Sequence, residues 1–146
     1  MKLAWLLWMA SILPHPLAAQ TCLATTVYLE ARSQPTIGQF AVAEVVLRRR
    51  QEGRWGKTVC DVVEYPHQFA TAFVSPNYRL DNLKAWTKAW KIAGESLAIW
   101  KLPKSDRTLV VPGADHFATV NSKPYWASVS AVKTRTIGNH AFYAVN

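Results

Sequence analysis

The stretch Ala24-Thr25-Thr26-Val27-Tyr28-Leu29-Glu30-Ala31-Arg32 carries one acid inside a run that is otherwise uncharged until Arg32 closes it. Leu23, Val27 and Ala31 fall one turn apart, which predicts a helix over Thr21–Arg32 with Thr21 as its cap. Ser33-Gln34-Pro35 ends it, because the residue before a proline is pushed out of the helical region. Glu30 then stands in the last turn among apolar neighbours. Desolvation there raises a carboxyl pKa, and a helix C-terminus disfavours the negative form, which works in the same direction. Arg32, two positions on, points to a different face. A carboxyl that keeps its proton near neutral pH can protonate a poor leaving oxygen, as breaking a glycosidic bond requires. On composition alone, a helix-surface glutamate is the plainer reading.

Outward from this stretch the pattern is mainly helical. Thr36 can cap a helix over residues 37–49 with Phe40, Ala43 and Leu47 on one face, closed by Arg48-Arg49-Arg50 at its negative end. Gly53 and Gly56 bracket Trp55 in a loop, and Thr58 opens a short helix stopped by Pro66. Leu83, Trp86, Trp90, Ala93, Leu97 and Trp100 repeat at helical spacing, with Asp81 or Asn82 as cap and Pro103 as terminator. Tryptophans so spaced read as scaffold rather than as a ligand platform. After that the character changes. Thr108 to Val111 is β-like, Ala114 to Val120 can be extended, and Val132, Thr134 and Thr136 alternate with polar neighbours before Gly138-Asn139. That last pattern predicts a hairpin with a Gly-Asn turn. The expected fold is α+β, mainly helical, with a small C-terminal antiparallel hairpin. There is no repeat, low-complexity tract or Gly/Ser linker, so one domain is expected.

The N-terminus reads differently. Lys2, the apolar run Leu3 to Leu13, the Pro14-His15-Pro16 breaker and Leu17-Ala18-Ala19 form a signal peptide over residues 1–19, with the domain over 20–146. The run is shorter than the ~20 residues of a spanning helix. A buried N-terminal helix and an uncleaved tether are the alternatives. Export suits an even cysteine pair, so Cys22 and Cys60 read as a disulfide rather than two free thiols. A net charge of +8, or +7 once Lys2 is removed with the leader, favours anionic partners. Much of it lies between Lys84 and Arg107, where six cations face only Glu95 and Asp106.

Several further segments extend the opening stretch. They are Gly38-Gln39-Phe40-Ala41-Val42-Ala43-Glu44-Val45-Val46-Leu47, Thr58-Val59-Cys60-Asp61-Val62-Val63, Pro66-His67-Gln68-Phe69, Gly113-Ala114-Asp115-His116-Phe117, Trp126-Ala127 and Ile137-Gly138-Asn139-His140-Ala141-Phe142-Tyr143. In this order and spacing the chain resembles the cell-wall hydrolases related to spore-cortex-lytic enzymes. It departs from them at Ser33-Gln34, Ala70-Thr71 and Ala118.

The resemblance implies a lysozyme-like, lytic-transglycosylase-like fold and cleavage between N-acetylmuramic acid and N-acetylglucosamine in peptidoglycan strands. It places the general acid, then base, on Glu30. It also nominates Tyr28, Gln68, Phe69, His116, His140 and Tyr143 as substrate-binding residues. A transglycosylase needs no second carboxylate, because the muramoyl C6 hydroxyl attacks C1 and leaves a 1,6-anhydro end. A hydrolase would need one, from Glu44, Asp61, Glu64 or Asp115, each of which reads first as a surface residue. No cofactor or metal is expected, nor a specific nucleic-acid partner or stable membrane insertion once the leader is gone. The implied enzyme is a monomer in the periplasm or secreted. Two rivals come from other classes. One is a basic nuclease built on His116, Asn121, Asn139 and His140, whose spacing fits no metal signature. The other is a wall-binding module without catalysis.

Overall fold

Helix α1, Leu3–Ile12, begins the chain in the computed structural model, which describes residues 1–145. Helix α2 spans His15–Ala31, so Thr21 is not a cap but an interior residue whose hydroxyl donates to Leu17 O. Pro16 explains the earlier start. A proline in the first turn gives up an N–H that would be unpaired there anyway, and it starts a helix as readily as it ends one. Leu3 and Leu6 are buried, Leu3 N–H donates to Tyr78 O, and α2 runs unbroken through Ala19.

Helix α3, Thr36–Glu52, starts one residue before the expected span and ends three beyond it, where Gly53 takes a left-handed φ of 80°. Helix α4, Val59–Glu64, opens with a capping box in which Thr58 and Asp61 exchange side-chain and backbone hydrogen bonds. Cys60 on α4 is disulfide-bonded to Cys22 on α2. Helix α5, Ala70–Phe73, is a single turn, and α6, Leu83–Lys101, is capped by Asn82 accepting from Ala85 N–H. Helix α2 is central, packing on α1, α3, α4, α5 and α6. Gly94 lets α6 come close to α2, since a Cβ there would meet the Gln20 amide at 2.8 Å.

The C-terminal part is a sheet of three antiparallel strands rather than a lone hairpin. Strand β1, His116–Thr119, joins β2, Ala131–Ile137, and β3, His140–Val145, in the order β1-β3-β2. Helix α7, Tyr125–Val129, lies between β1 and β2. The Gly138-Asn139 turn forms as expected, with Gly138 at φ 55° and Asn139 N–H donating to Gln34 Oε1. Thr108 to Val111 is not a strand. The Glu44 carboxylate takes the N–H groups of Val110 and Val111, at 2.5 and 2.9 Å, that a neighbouring strand would otherwise use. Glu44 is therefore buried, not a surface residue. The result is a mainly helical fold with its core between α2, α3 and α6.

Candidate active site

Glu30, on the last turn of α2, is half-buried, and its Oε1 accepts the Ala70 N–H at 2.7 Å. Burial raises its pKa above the ordinary carboxyl value, against the opposing pull of the Ala70 hydrogen bond and the Arg49 charge. Arg32 does not enter this balance. It folds back to Tyr28 O and the Tyr78 hydroxyl.

Arg49 sits beside the carboxylate from α3. It is 4% exposed, flanked by the rings of Trp55 and Phe69 at 4.5 and 4.8 Å. Its Nε donates to Asp115 O and its Nη1 to Gln68 Oε1. Burial brings its pKa down to about 10, which leaves it charged at any working pH. The guanidinium thus ties α3 to the segment before α5 and to the start of β1.

Arg49 belongs to the lining of a cleft of about 390 Å³, together with Trp55, His67, Gln68, His116, Phe117 and Trp126, and Glu30 lies behind that lining. His67 enters it from a left-handed backbone, φ 64°, which turns the chain toward Gln68 and Phe69. The aromatic rings run in series. His116 lies 5.8 Å from Trp55 and 4.9 Å from Trp126, and Trp126 meets Tyr143 edge-on at 5.2 Å. Aromatic faces with a few amide and imidazole groups are the surface a sugar ring binds.

Asp115 is buried, correcting its reading as a surface residue. Its Oδ1 accepts from Val145 N–H and lies 3.0 Å from His116 Nδ1, and Arg54 stands 3.6 Å from Oδ2. Burial would raise its pKa, but the bonds from His116 and Val145 outweigh that and hold it below the ordinary value. Burial lowers the His116 pKa, as do Arg49 and Arg54, against the pull of Asp115. Near neutral pH the pair is an ionised Asp115 and a neutral His116. The Nδ1 then carries the proton, which leaves Nε2 as an acceptor.

Among the nominated residues, Gln68 and His116 line the cleft, and Tyr143 touches it through Trp126. Tyr28, Phe69 and His140 are elsewhere. Tyr28 is 3% exposed, with its hydroxyl accepting from Asn82 N–H and its ring against Trp86. Phe69 is fully buried between Arg49 and Phe117. His140 is 5% exposed against Phe117 and Phe142, and burial lowers its pKa. In sequence Arg49 is one of three helix-end cations, and nothing in that run marks the one that turns inward. Trp55 stands in a glycine-bracketed loop and Trp126 in a matched segment, neither with a local sign of facing the cleft. No group of three or more His, Cys, Asp or Glu among the described residues could hold a metal ion.

The sequence model of the cell wall hydrolase family matches residues 33–143, most of the chain. The chain belongs to that family. The matched span holds every residue that lines the cleft and begins three positions after Glu30. In fold, this cell wall hydrolase is similar to the catalytic domain of the germination-specific lytic transglycosylase SleB from Bacillus anthracis. The TM-score is 0.66 at 24% identity, over 84% of this chain and 90% of that one. It is also similar to the catalytic domain of the Bacillus cereus SleB protein, with a TM-score of 0.61 at 23% identity, over 83% and 85% of the two chains. No curated protein matches this cell wall hydrolase in sequence.

Two departures from the family pattern have local roles. Gln34 holds the β2–β3 turn through Asn139 N–H, and Thr71 shares a 2.8 Å hydrogen bond with Thr26.

Proposed function

We propose that this cell wall hydrolase cuts the bond between N-acetylmuramic acid and N-acetylglucosamine, with Glu30 as its one catalytic carboxyl, and leaves a 1,6-anhydro end. The observation that carries the reading is the state of Glu30. It is a desolvated carboxyl held by a single backbone N–H and facing the charge of Arg49, which lines a cleft whose lining includes no carboxylate among the described residues.

The chemistry follows from those groups. Glu30 protonates the bridging oxygen as the bond to the muramoyl C1 opens, and the sugar gains oxocarbenium character. The Glu30 carboxylate then takes the proton of the muramoyl C6 hydroxyl, whose oxygen closes on C1. Ala70 N–H and Arg49 stabilise the carboxylate between these steps. Asp115 is buried outside the cleft lining, its Oδ1 engaged by His116 and Val145 N–H and its Oδ2 paired with Arg54 at 3.6 Å. It is poorly placed to activate a water in the cleft, which favours transglycosylation over hydrolysis.

The nuclease reading loses its geometry, because His140 is buried behind Phe117 and Phe142, whereas His116 lines the cleft. Export to the periplasm or beyond, and action as a monomer, belong to the same proposal. No helix is long and apolar enough to cross a membrane. Ala19 is buried inside α2, so removal of residues 1–19 would precede folding.

The test is to digest purified sacculi and weigh the muropeptides. Products lacking one water at the muramoyl end support the proposal. Reducing ends would point to hydrolysis, and intact sacculi to a binding module.

A further inference from the structure

A second cavity of about 350 Å³ lies between the C-terminal half of α3, the end of α6 and the loop before β1. Arg48, Gln51, Trp100, Lys104, Arg107 and Gly113 line it. The guanidinium groups of Arg48 and Arg107 stand 5.4 and 4.3 Å from the Trp100 ring centre. Arg107 is fixed in place by bonds to Leu102 O, Trp100 O and Gln51 Oε1. Trp100 is 7% exposed, and its indole N–H has no acceptor among the described residues. Lys104 is exposed with no ion-pair partner among them. Glu52, the acid at the rim, already pairs with Arg54.

The cavity shares a wall with the cleft. Arg48 donates to Ala114 O and its neighbour Arg49 to Asp115 O, so consecutive side chains of α3 grip consecutive carbonyls of one segment. Gly113, at φ 79° with open space where a Cβ would be, forms the rim on the cavity side, and His116 opens the cleft just beyond.

The chemistry of this cavity does not suit a sugar. An apolar indole floor flanked by two guanidiniums and an ammonium suits a ligand with a short apolar body and a carboxylate. The acetylated amino groups of a glycan strand are neutral, and where the muramoyl lactyl carboxyl is amide-linked the carboxylates lie further out, on the stem peptide. We infer that the cavity binds a carboxylate of that stem peptide while the muramoyl sugar occupies the cleft. The inference rests on the proposed substrate. It makes the enzyme selective for stem-bearing over peptide-free glycan.

Binding can be read without turnover, because a free peptide has no glycosidic bond to cut. In the unaltered protein, the Trp100 indole N–H signal, assigned with Trp100→Phe, is followed during titration with a free stem peptide. Parallel titrations use the same peptide with its carboxylates amidated, and inorganic phosphate. The inference expects the stem peptide to shift the signal at millimolar concentration and the amidated peptide to fail. Lys104→Glu should weaken the binding about fivefold or more. Three results would overturn it: no shift, an equal shift with phosphate, or an unchanged affinity in Lys104→Glu. If sacculi stay uncut while the peptide binds as described, the glycosidase reading fails and the cavity assignment stands.

Discussion

The Ala70 N–H points at Glu30 Oε1 across 2.7 Å, joining the last turn of α2 to the first residue of α5. Because the donor is backbone, it is fixed before any substrate arrives. It favours the carboxylate, whereas burial favours the acid, and burial is the larger effect. Glu30 is therefore a group that gives its proton up to a receiving oxygen and is met by a donor once it has done so. Activity should follow this balance. It falls as pH rises through the raised Glu30 pKa, so the alkaline limb of the kcat/KM profile lies above the ordinary carboxyl range. A profile still rising through neutral pH would show that another group supplies the proton.

Glu30 also has a signature in stability. A folded-state pKa above the unfolded one means a contribution fully present below the ordinary carboxyl pKa and lost as pH rises through the raised value. Glu30→Gln removes a carboxylate that is costly to bury when ionised. The variant's melting temperature should gain on the parent's as pH goes from 4 to 8, in a thermal scan at each pH. A gap that does not change with pH would mean that Glu30 is solvated.

Asp115 carries the opposite sign. Its folded pKa is depressed, so its contribution to stability is present above the ordinary carboxyl pKa and is lost as pH falls through the depressed value. Asp115→Asn should destabilise at pH 7 and match the parent more closely in acid. It should also release the His116 tautomer, and NMR of the imidazole nitrogens should show Nδ1 no longer uniformly protonated.

The Cys22–Cys60 bridge closes a loop with a sequence separation of 38 and ties α4 to α2. Loop-closure entropy gives roughly 4 kcal/mol. Replacing both cysteines by serine should lower the melting temperature by about 10 °C. A loss below a few degrees would mean that helix packing alone fixes α4.

Much of this was legible in one dimension, and what was not has identifiable causes. Thr58 opening α4, Asn82 as one of the two caps offered for α6, and the Gly138-Asn139 turn are local devices that formed as read, while Asp61, read as a surface acid, completes the capping box with Thr58. Strand β1 falls inside the stretch Ala114 to Val120 that reads as extendable, but its pairing with β3, more than twenty positions away, has no local mark. Thr108 to Val111 has strand-forming side chains, but a distant Glu44 takes its N–H groups. Arg48-Arg49-Arg50 reads as three cations answering a helix dipole, yet only the middle one turns fully inward. Tyr28 shares a motif with Glu30, and His140 one with Tyr143, but both hold the scaffold, because motif membership does not say which way a side chain points.

The central claim is tested most directly by the rate at which folded Glu30→Gln solubilises sacculi beside the unaltered protein. Folding of the variant is checked by its melting temperature. Loss of a positioned general acid predicts a rate lower by about 10²-fold or more, with binding to sacculi retained. Equal rates from the two proteins would contradict the account.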